Sequence, residues 1–394
     1  MSALLHGVRV LDFGRYIAGP YCAALLGEYG ADVIRIEKRE GSEDRFVAPI
    51  GAGGEGSLFL QMNRNKLSLT VDPMTEEGRE IVRKLVRTAD VVVANLPGQS
   101  LVAMGLDYAS LSAVKPDIIV TTSSAYGTEG PMAKNVGFDG VGQAMSGAVF
   151  MTGEPGQPYR AQVNWVDFGT ALHCAFGTMA ALMERSRSGK GQHVNGSLLG
   201  TALTFTNSYL IEQAVININR LPSGNRGQAA APVNIYRTTD GSVLCQVVGQ
   251  PLYERWARLM GEPEWLADPR FGTDLSRGEN ATIIDARMRH WCEGRSTAEA
   301  VEILGAAKIP CGPVLNAQAA LDHPQVQALG LLQPLDYPGL PVPAPVGRVP
   351  LAMSVTEGAI RHRAPLLGEH TERILGEIGY DAASVAGLRE RGIV

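Results

Sequence analysis

Cysteine is scarce in this 394-residue chain: Cys22, Cys174, Cys245, Cys292 and Cys311 stand far apart, odd in number and without a CxxC pair. That spacing excludes a disulfide framework and a zinc site, so the thiols are expected to be reduced and packed in the core of a cytoplasmic protein. No block of like charges occurs, and the formal net charge of −5 is spread along the chain, which argues against nucleic acid as a partner. No stretch approaches the roughly 18 apolar residues of a membrane span. The opening MSALLHGVRVLDFGR lacks the basic-then-apolar plan of a leader, so neither membrane nor targeting is expected. GxSxG and HExxH are both missing and the seven histidines are isolated, which removes the local signatures of serine and metal-dependent hydrolases; no metal is expected.

What is present is ordinary for a globular protein, with 45% hydrophobic and 19% charged residues, and the length exceeds what one core usually supports. Two unequal domains are expected. In the first two hundred residues the β-branched runs VRVLDF, DVIRIE, LSLTVD, DVVVAN and DIIVTTSSA alternate with helical patterns such as CAALLGEYG and IVRKLVRTA, the latter opened by a polar turn between Thr75 and Gly78. This alternation predicts an α/β fold, a Rossmann-like large domain on an open parallel sheet, which binds ligands beyond the carboxyl ends of its strands. From Asp167 the pattern is helical as far as Gly189. The Gly-, Pro- and Asn-rich INRLPSGNRGQAAAP predicts a linker and loop before a strand signal, VNIYRTTDGSVLCQVV, with a TTDG turn. The expected division is residues 1–205 for the first part of the large domain, 206–228 for a linker and glycine-containing loop, and 229–318 for a smaller α/β domain. Residues 319–394 form a linker and return to the large domain, through the Pro-rich YPGLPVPAPVGRVP to a helix in EHTERILGEIG.

Single motifs decide little. GAGGEG at Gly51 to Gly56 matches GxGxxG, but Pro49 precedes it and SLFLQMNRNK does not read as a helix start, so a surface loop is expected and no dinucleotide is implied. Asp167 opens a helical run, where an Asp is commonly an N-cap, and His173 reads as a packed helical residue.

Several segments, taken in order, resemble the family III CoA transferases, the group of formyl-CoA transferase and the carnitine and bile-acid CoA transferases. They are LHGVRVLDFGRYIAGPYCAALLGEYGADVIRIEKREGSEDR, SLFLQMNRNKLSLTVD, ADVVVANLPG, VDFGTALHCAFGTMAALMERSRSGKGQHVNGSLL, IPCGPV and RAPLLGEHTERIL. The resemblance covers essentially the whole chain. It implies that Asp167 attacks an acyl-CoA thioester to give a mixed anhydride, then an aspartyl-CoA thioester, so that CoA passes to a second carboxylic acid. An Asp suits this because its carboxylate is ionised at neutral pH. The resemblance further implies CoA contacts from Ile17 and Ala18 in the AGP turn, Lys38 after the second strand, and Val71, Asp72, Met74 and Asn95. Substrate-side residues are Arg15, suited to holding a carboxylate, Phe138, and the loop containing Gly224, Gly227 and Gln228, read either as a mobile cover that keeps water from the anhydride or as an interdomain linker. CoA is expected as substrate with no tightly bound cofactor, and an interlocked homodimer is implied.

Formyl-CoA transferase has basic residues where this chain has Ala103 and Val136, so the phosphate contacts and formate as the native acid are open. The similar α-methylacyl-CoA racemases pair their Asp with a His in a GHD motif; here Gly137-Phe138-Asp139 puts a phenylalanine at that place, which cannot remove a proton. A racemase and a non-catalytic CoA-binding protein of the same fold are the alternatives.

Overall fold

The structure is a computed structural model that describes residues 3–51 and 53–394. It divides into two compact units. The first comprises Met1–Ser146, Ala161–Thr206 and Gln327–Val394, and the second Gly147–Arg160 and Asn207–Val326. The second unit thus begins earlier in the chain than the expected small domain, with a short excursion before the Asp167 helix.

The first unit is built on six parallel strands: β1 (Arg9–Asp12), β2 (Asp32–Glu37), β3 (Lys66–Thr70), β4 (Val91–Ala94), β5 (Ile119–Ser124) and β6 (Gln192–Ser197). Their order is β3-β2-β1-β4-β5-β6, in parallel register throughout, with Val10 opposite Val33 and Val91. The apolar runs predicted as strands are buried on both faces, as a doubly covered parallel sheet requires. One face packs Leu11, Ile34, Leu69 and Val92 against the helix Glu76–Thr88 and the C-terminal residues Ile374, Leu375, Val385 and Leu388. The other packs Val10, Val33, Val93 and Ile119 against α1 (Ala18–Glu28) and against Ala171, Cys174 and Ala175. Thr75 caps Glu76–Thr88 by accepting the N–H of Gly78 at 3.0 Å, the bracket expected from sequence.

Three further helices matter for the site: α2 (Asp139–Met145), α3 (Trp165–Ser188) and α4 (Leu198–Ile216). Gly189 ends α3 in the left-handed region, φ 67°, which glycine enters without steric cost. Contrary to the sequence expectation, α3 is long and apolar enough by composition to cross a membrane; half of that window is buried inside the fold, as in a core helix.

Two other expectations change. Ser57–Met62 forms a short helix after the glycine-rich segment, where none was expected. The segment follows a 3-10 turn at Glu43–Phe46 rather than a strand, and a side chain at Gly56 would strike the backbone of Val47, so the GxGxxG match still does not build a strand–turn–helix phosphate cradle; its Ala52 lies outside the described residues. The Pro-rich segment is not simply a linker. Its Ala344–Gly347 (β11) pairs antiparallel with Leu332–Leu335 (β10), Pro345 opposite Pro334, in a two-stranded ribbon whose free edges tolerate proline.

The second unit carries the predicted hairpin, β7 (Val233–Arg237) and β8 (Ser242–Gln246), with β9 (Cys311–Pro313) added antiparallel. Its core gathers Tyr236, Trp256, Phe271, Met288 and Trp291. All five cysteines are free thiols, four of them buried and Cys311 partly so.

Candidate active site

The strand order reverses between β1 and β4, and in open α/β sheets the crevice at that switch point is where ligands bind. The turn leaving β1, Phe13 to Ile17, enters α1 there. It is held from three sides. Asp12 Oδ1 accepts the N–H of Gly14 at 2.8 Å, and a Cβ on Gly14 would lie 2.7 Å from that oxygen and from the Pro20 ring, so only glycine fits. Asn95, just past β4, accepts the Arg15 N–H at 2.6 Å through Oδ1 and returns its Nδ2 to the Arg15 carbonyl at 2.8 Å, clamping the turn across the switch point. Lys66 Nζ donates to Asp12 Oδ2 at 2.7 Å, to the Pro20 carbonyl at 2.8 Å and to Asn63 Oδ1 at 3.0 Å. All of this is buried. Burial alone would raise Asp12, but the Lys66 and Arg35 charges outweigh it and hold the carboxyl below its ordinary range; burial pushes Lys66 down to about 8 despite Asp12.

At the apex of the turn Tyr16 adopts φ 60°, a left-handed conformation that an aromatic residue enters only under constraint. Its ring meets the exposed ring of Phe138 edge to face, with centroids 5.4 Å apart. Phe138 immediately precedes α2, whose first residue, Asp139, is buried. Asp139 Oδ2 accepts two backbone N–H groups at the start of α3, those of Val166 at 2.8 Å and Asp167 at 3.0 Å, and Gln143 Nε2 donates to Oδ1. Asn164, the N-cap residue of α3, makes no side-chain cap. Asp139 therefore caps α3 from another helix, and Asp167 is not the N-cap that local sequence suggests: it lies within the first turn. Its carboxyl is 8% exposed and has no hydrogen-bond partner among the described residues. Ala18, Ala125, Val166 and Leu198 pack together beside it, with Trp165 and Tyr126 at the edge. Burial, and secondarily the negative charge of Asp139, raise the Asp167 pKa from 3.8 to about 7. Asp167 accordingly holds its proton far more tightly than the ordinary carboxylate that the sequence leads one to expect.

A buried, unpartnered carboxyl at the switch-point crevice now has company from known proteins. Residues 5–371 match the model of CoA-transferase family III. The chain belongs to CoA-transferase family III. The succinate–glutarate CoA-transferase of Agrobacterium fabrum is 33% identical, over 95% of each chain. A formyl-CoA:oxalate CoA-transferase of Rhodopseudomonas palustris is 31% identical, over all of this chain and 97% of its own length. Among solved structures, a CaiB/BaiF family protein from Brucella suis superposes with a TM-score of 0.83 at 30% identity, over 96% of this chain and all of its own. As a family III CoA transferase, the protein is an enzyme whose substrates are CoA thioesters and carboxylic acids.

The expected site residues of this CoA transferase divide in two. Arg15, Ile17, Ala18, Asn95, Phe138 and Asp167 are linked by direct or successive contacts in the first unit. Within that group Asn95 has both ends of its amide committed to the backbone of Arg15, so it shapes the turn. Ile17 and Ala18 are buried, and the Ile17 carbonyl accepts the N–H of Tyr21 at 2.8 Å. Arg15 is partly buried; its Nη1 donates to the carbonyls of Phe13 and Gly14 at 3.0 and 2.8 Å, and no carboxylate pairs with it among the described residues. Lys38 is exposed and paired with Glu43 at 2.5 Å. Val71 is packed in the core. Asp72 Oδ1 accepts the N–H of Met74 at 2.9 Å, and Met74 is exposed. Gly224, Gly227 and Gln228 belong to the second unit. There the Gly224 N–H donates to the Gly153 carbonyl at 2.9 Å, the Gly227 N–H to that of Val233 at 2.7 Å, and Gln228 Nε2 to the Leu221 carbonyl at 2.6 Å, so the loop is tied to its own unit and the Gln228 amide is folded back on it. His173 reaches Thr201 at 3.3 Å and the ring of Phe205, but it is exposed in this chain rather than packed as expected. Sequence reasoning missed Asp139 and Gln143. The usable signal was the Asp of Gly137-Phe138-Asp139, noticed there only for the histidine it does not follow.

Proposed function

We propose that this enzyme moves CoA from an acyl-CoA thioester to a free carboxylic acid with Asp167 as the covalent acyl carrier. The observation that carries the reading is a carboxyl buried without a donor at the switch-point crevice, in a chain of CoA-transferase family III. A carboxylate stripped of hydrogen bonds is more basic and a better nucleophile than a solvated one. Asp167 attacks the thioester carbonyl, the C–S bond breaks, and CoA thiolate leaves with the electron pair, giving a mixed anhydride. The thiolate then attacks the aspartyl carbonyl and releases the first acid. The second acid attacks the resulting aspartyl-CoA thioester to regenerate an anhydride, from which CoA takes the new acyl group and frees Asp167. Each exchange replaces one activated acyl bond by another of similar energy, so no step needs an outside energy source.

Arg15, a cation without a carboxylate partner beside the same turn, supports binding of an anionic group of the substrate. Phe138, which cannot exchange a proton, supports acyl transfer over racemisation. Small carboxylic acids are the proposed acyl groups, consistent with relatives named for succinate and glutarate or for formyl-CoA and oxalate. A homodimer is part of the proposal. Large apolar side chains stand exposed along α3 and α4, Phe176 at 78% and Val215 at 74% among them, more than monomers usually leave in water.

The test is a matrix of acyl-CoA donors against mono- and dicarboxylic acceptors, read by liquid chromatography and mass spectrometry for wild type and Asp167→Ala. CoA exchange in the wild type that disappears in the variant, with acyl-CoA binding retained in calorimetry, is expected. Exchange at the wild-type rate in Asp167→Ala would overturn the assignment.

A further inference from the structure

We propose that Asp139 is a positioning residue for acyl transfer: its carboxylate takes the N-terminal donors of α3 away from Asp167, and the repulsion between the two carboxylates is relieved when Asp167 is acylated. This rests on Asp167 being the nucleophile.

A carboxylate in the first turn of a 24-residue helix normally gains from the free N–H groups and the helix dipole, both of which favour its charged form. Here one oxygen of Asp139 collects the N–H groups of Val166 and Asp167, at 2.8 and 3.0 Å. The other oxygen is held by Gln143, whose own Oε1 accepts the N–H of Ala161 at 2.9 Å, anchoring the segment that leads into α3. Asp139 is 3% exposed and Gln143 1%, so the cap has no room to swing away. The helix-end stabilisation thus goes to Asp139, and Asp167 receives its repulsion.

The titratable side chains of the elements around the start of α3 do not offset this, and Asp139 is the one charge that acts on Asp167. Tyr16 of the turn and Tyr126 after β5 present phenols, and Tyr21 of α1 lies edge-on to the ring of Phe168. His173, further along α3, is engaged by Thr201 of α4. Arg15 keeps Nη1 on the carbonyls of its own turn. Burial first, then Asp139, account for the raised proton affinity of Asp167.

The chemical consequence follows from where charge goes. As the Asp167 oxygen bonds to the thioester carbon, its negative charge passes through the tetrahedral adduct to the departing CoA sulfur. The anhydride and the aspartyl-CoA thioester are neutral at this position, so the charge of Asp139 favours both covalent states over the free carboxylate. A residue that only capped the helix would hold the geometry without this effect.

Asp139→Asn removes the charge while its amide oxygen can still accept the two N–H groups; its Nδ2 then meets Gln143 Nε2 donor to donor, so Gln143→Leu, which loses the same Gln143 bond and keeps the Asp139 charge, is measured beside it. Rapid-quench mass spectrometry with an acyl-CoA and no acceptor gives the Asp167 adduct as a function of pH. In Asp139→Asn, and not in Gln143→Leu, the midpoint for adduct formation is expected to fall by about one pH unit or more, with less adduct at the high-pH plateau, while circular dichroism shows the wild-type fold. An unchanged midpoint and yield, or an equal change in Gln143→Leu, would overturn the proposal. If the wild type itself formed no adduct at any pH, the nucleophile assignment would fall and the proposal with it, a result distinct from the first. Should Asp139→Asn not fold, wild-type protein labelled with carbon-13 at aspartate Cγ decides the matter, with Asp167 assigned by its loss in Asp167→Asn: a second aspartate Cγ resonance that shifts at the Asp167 midpoint, and loses that shift in Asp167→Asn, supports the repulsion, and an Asp167 titration that no other aspartate senses refutes it.

Discussion

Replacing Asp167 by Asn should stabilise the protein, and the gain should grow with pH. The Asp167 pKa is raised from 3.8 to about 7 in the folded chain because the carboxyl is buried without donors beside another carboxylate. A raised carboxyl pKa means that the folded state binds the proton more tightly than the unfolded one. Stability is therefore fully present below about pH 4 and is lost progressively as the pH rises to about 7, above which both states are ionised and the loss is constant. At 1.36 kcal/mol per pH unit, the penalty above pH 7 is about 4 kcal/mol. Asn occupies nearly the same volume and does not titrate. Denaturant unfolding of wild type and Asp167→Asn at pH 3.5, 6 and 8, following the transition of the first unit, should give a stability difference that is smallest at pH 3.5, is already about 1 kcal/mol by pH 4.5, and widens to about 4 kcal/mol by pH 8. CoA exchange should be lost in the same variant, the trade between stability and activity expected of a functional carboxyl held where it is unstable. A variant no more stable relative to wild type at pH 8 than at pH 3.5 would refute the reasoning, because Asp167 would then be an ordinary ionised carboxylate in the fold.

Three further outcomes follow from the geometry. Asn95→Ala removes both hydrogen bonds that clamp Arg15; it should lower stability by about 1–3 kcal/mol and raise the KM for acyl-CoA more than it lowers kcat, which steady-state kinetics and chemical denaturation read together. Lys66→Met removes the cation that donates to buried Asp12 and leaves it only Arg35, 4.0 Å away; it should cost about 3 kcal/mol, measured by denaturant unfolding at pH 7. Phe176→Lys, at one of the most exposed apolar positions of α3, should shift the mass seen by light scattering from dimer toward monomer; an unchanged dimer would place the proposed interface elsewhere.

Local physics made much of the fold legible. The β-branched runs became strands because each is bounded by turn residues and buried on both faces, and Thr75 and Gly189 ended helices by the cap chemistry their types allow. What escaped was carried by long-range contacts. Asp167 looks like an N-cap because it opens the helical pattern, yet the donors are taken by Asp139, 28 residues earlier in the chain, and no local window contains both. Val71 reads as a strand-end residue available to a ligand until the fold seals it beneath the helix Glu76–Thr88. The proline-rich segment hides β11 because proline normally argues against a strand, and only the two-stranded ribbon leaves its missing donor harmless. Asn95 is read from sequence as a ligand contact, whereas its commitment to the Arg15 backbone required the strand order that brings β1 beside β4.

The central claim is that Asp167 itself carries the acyl group. Incubating the enzyme with an acyl-CoA and no acceptor, quenching in acid and mapping peptides by mass spectrometry should find an acyl or CoA adduct on Asp167, converted to the hydroxamate by hydroxylamine and missing in Asp167→Asn. Turnover-competent enzyme whose only adduct lies on another residue, or which shows none under conditions that complete the first half-reaction, would contradict it.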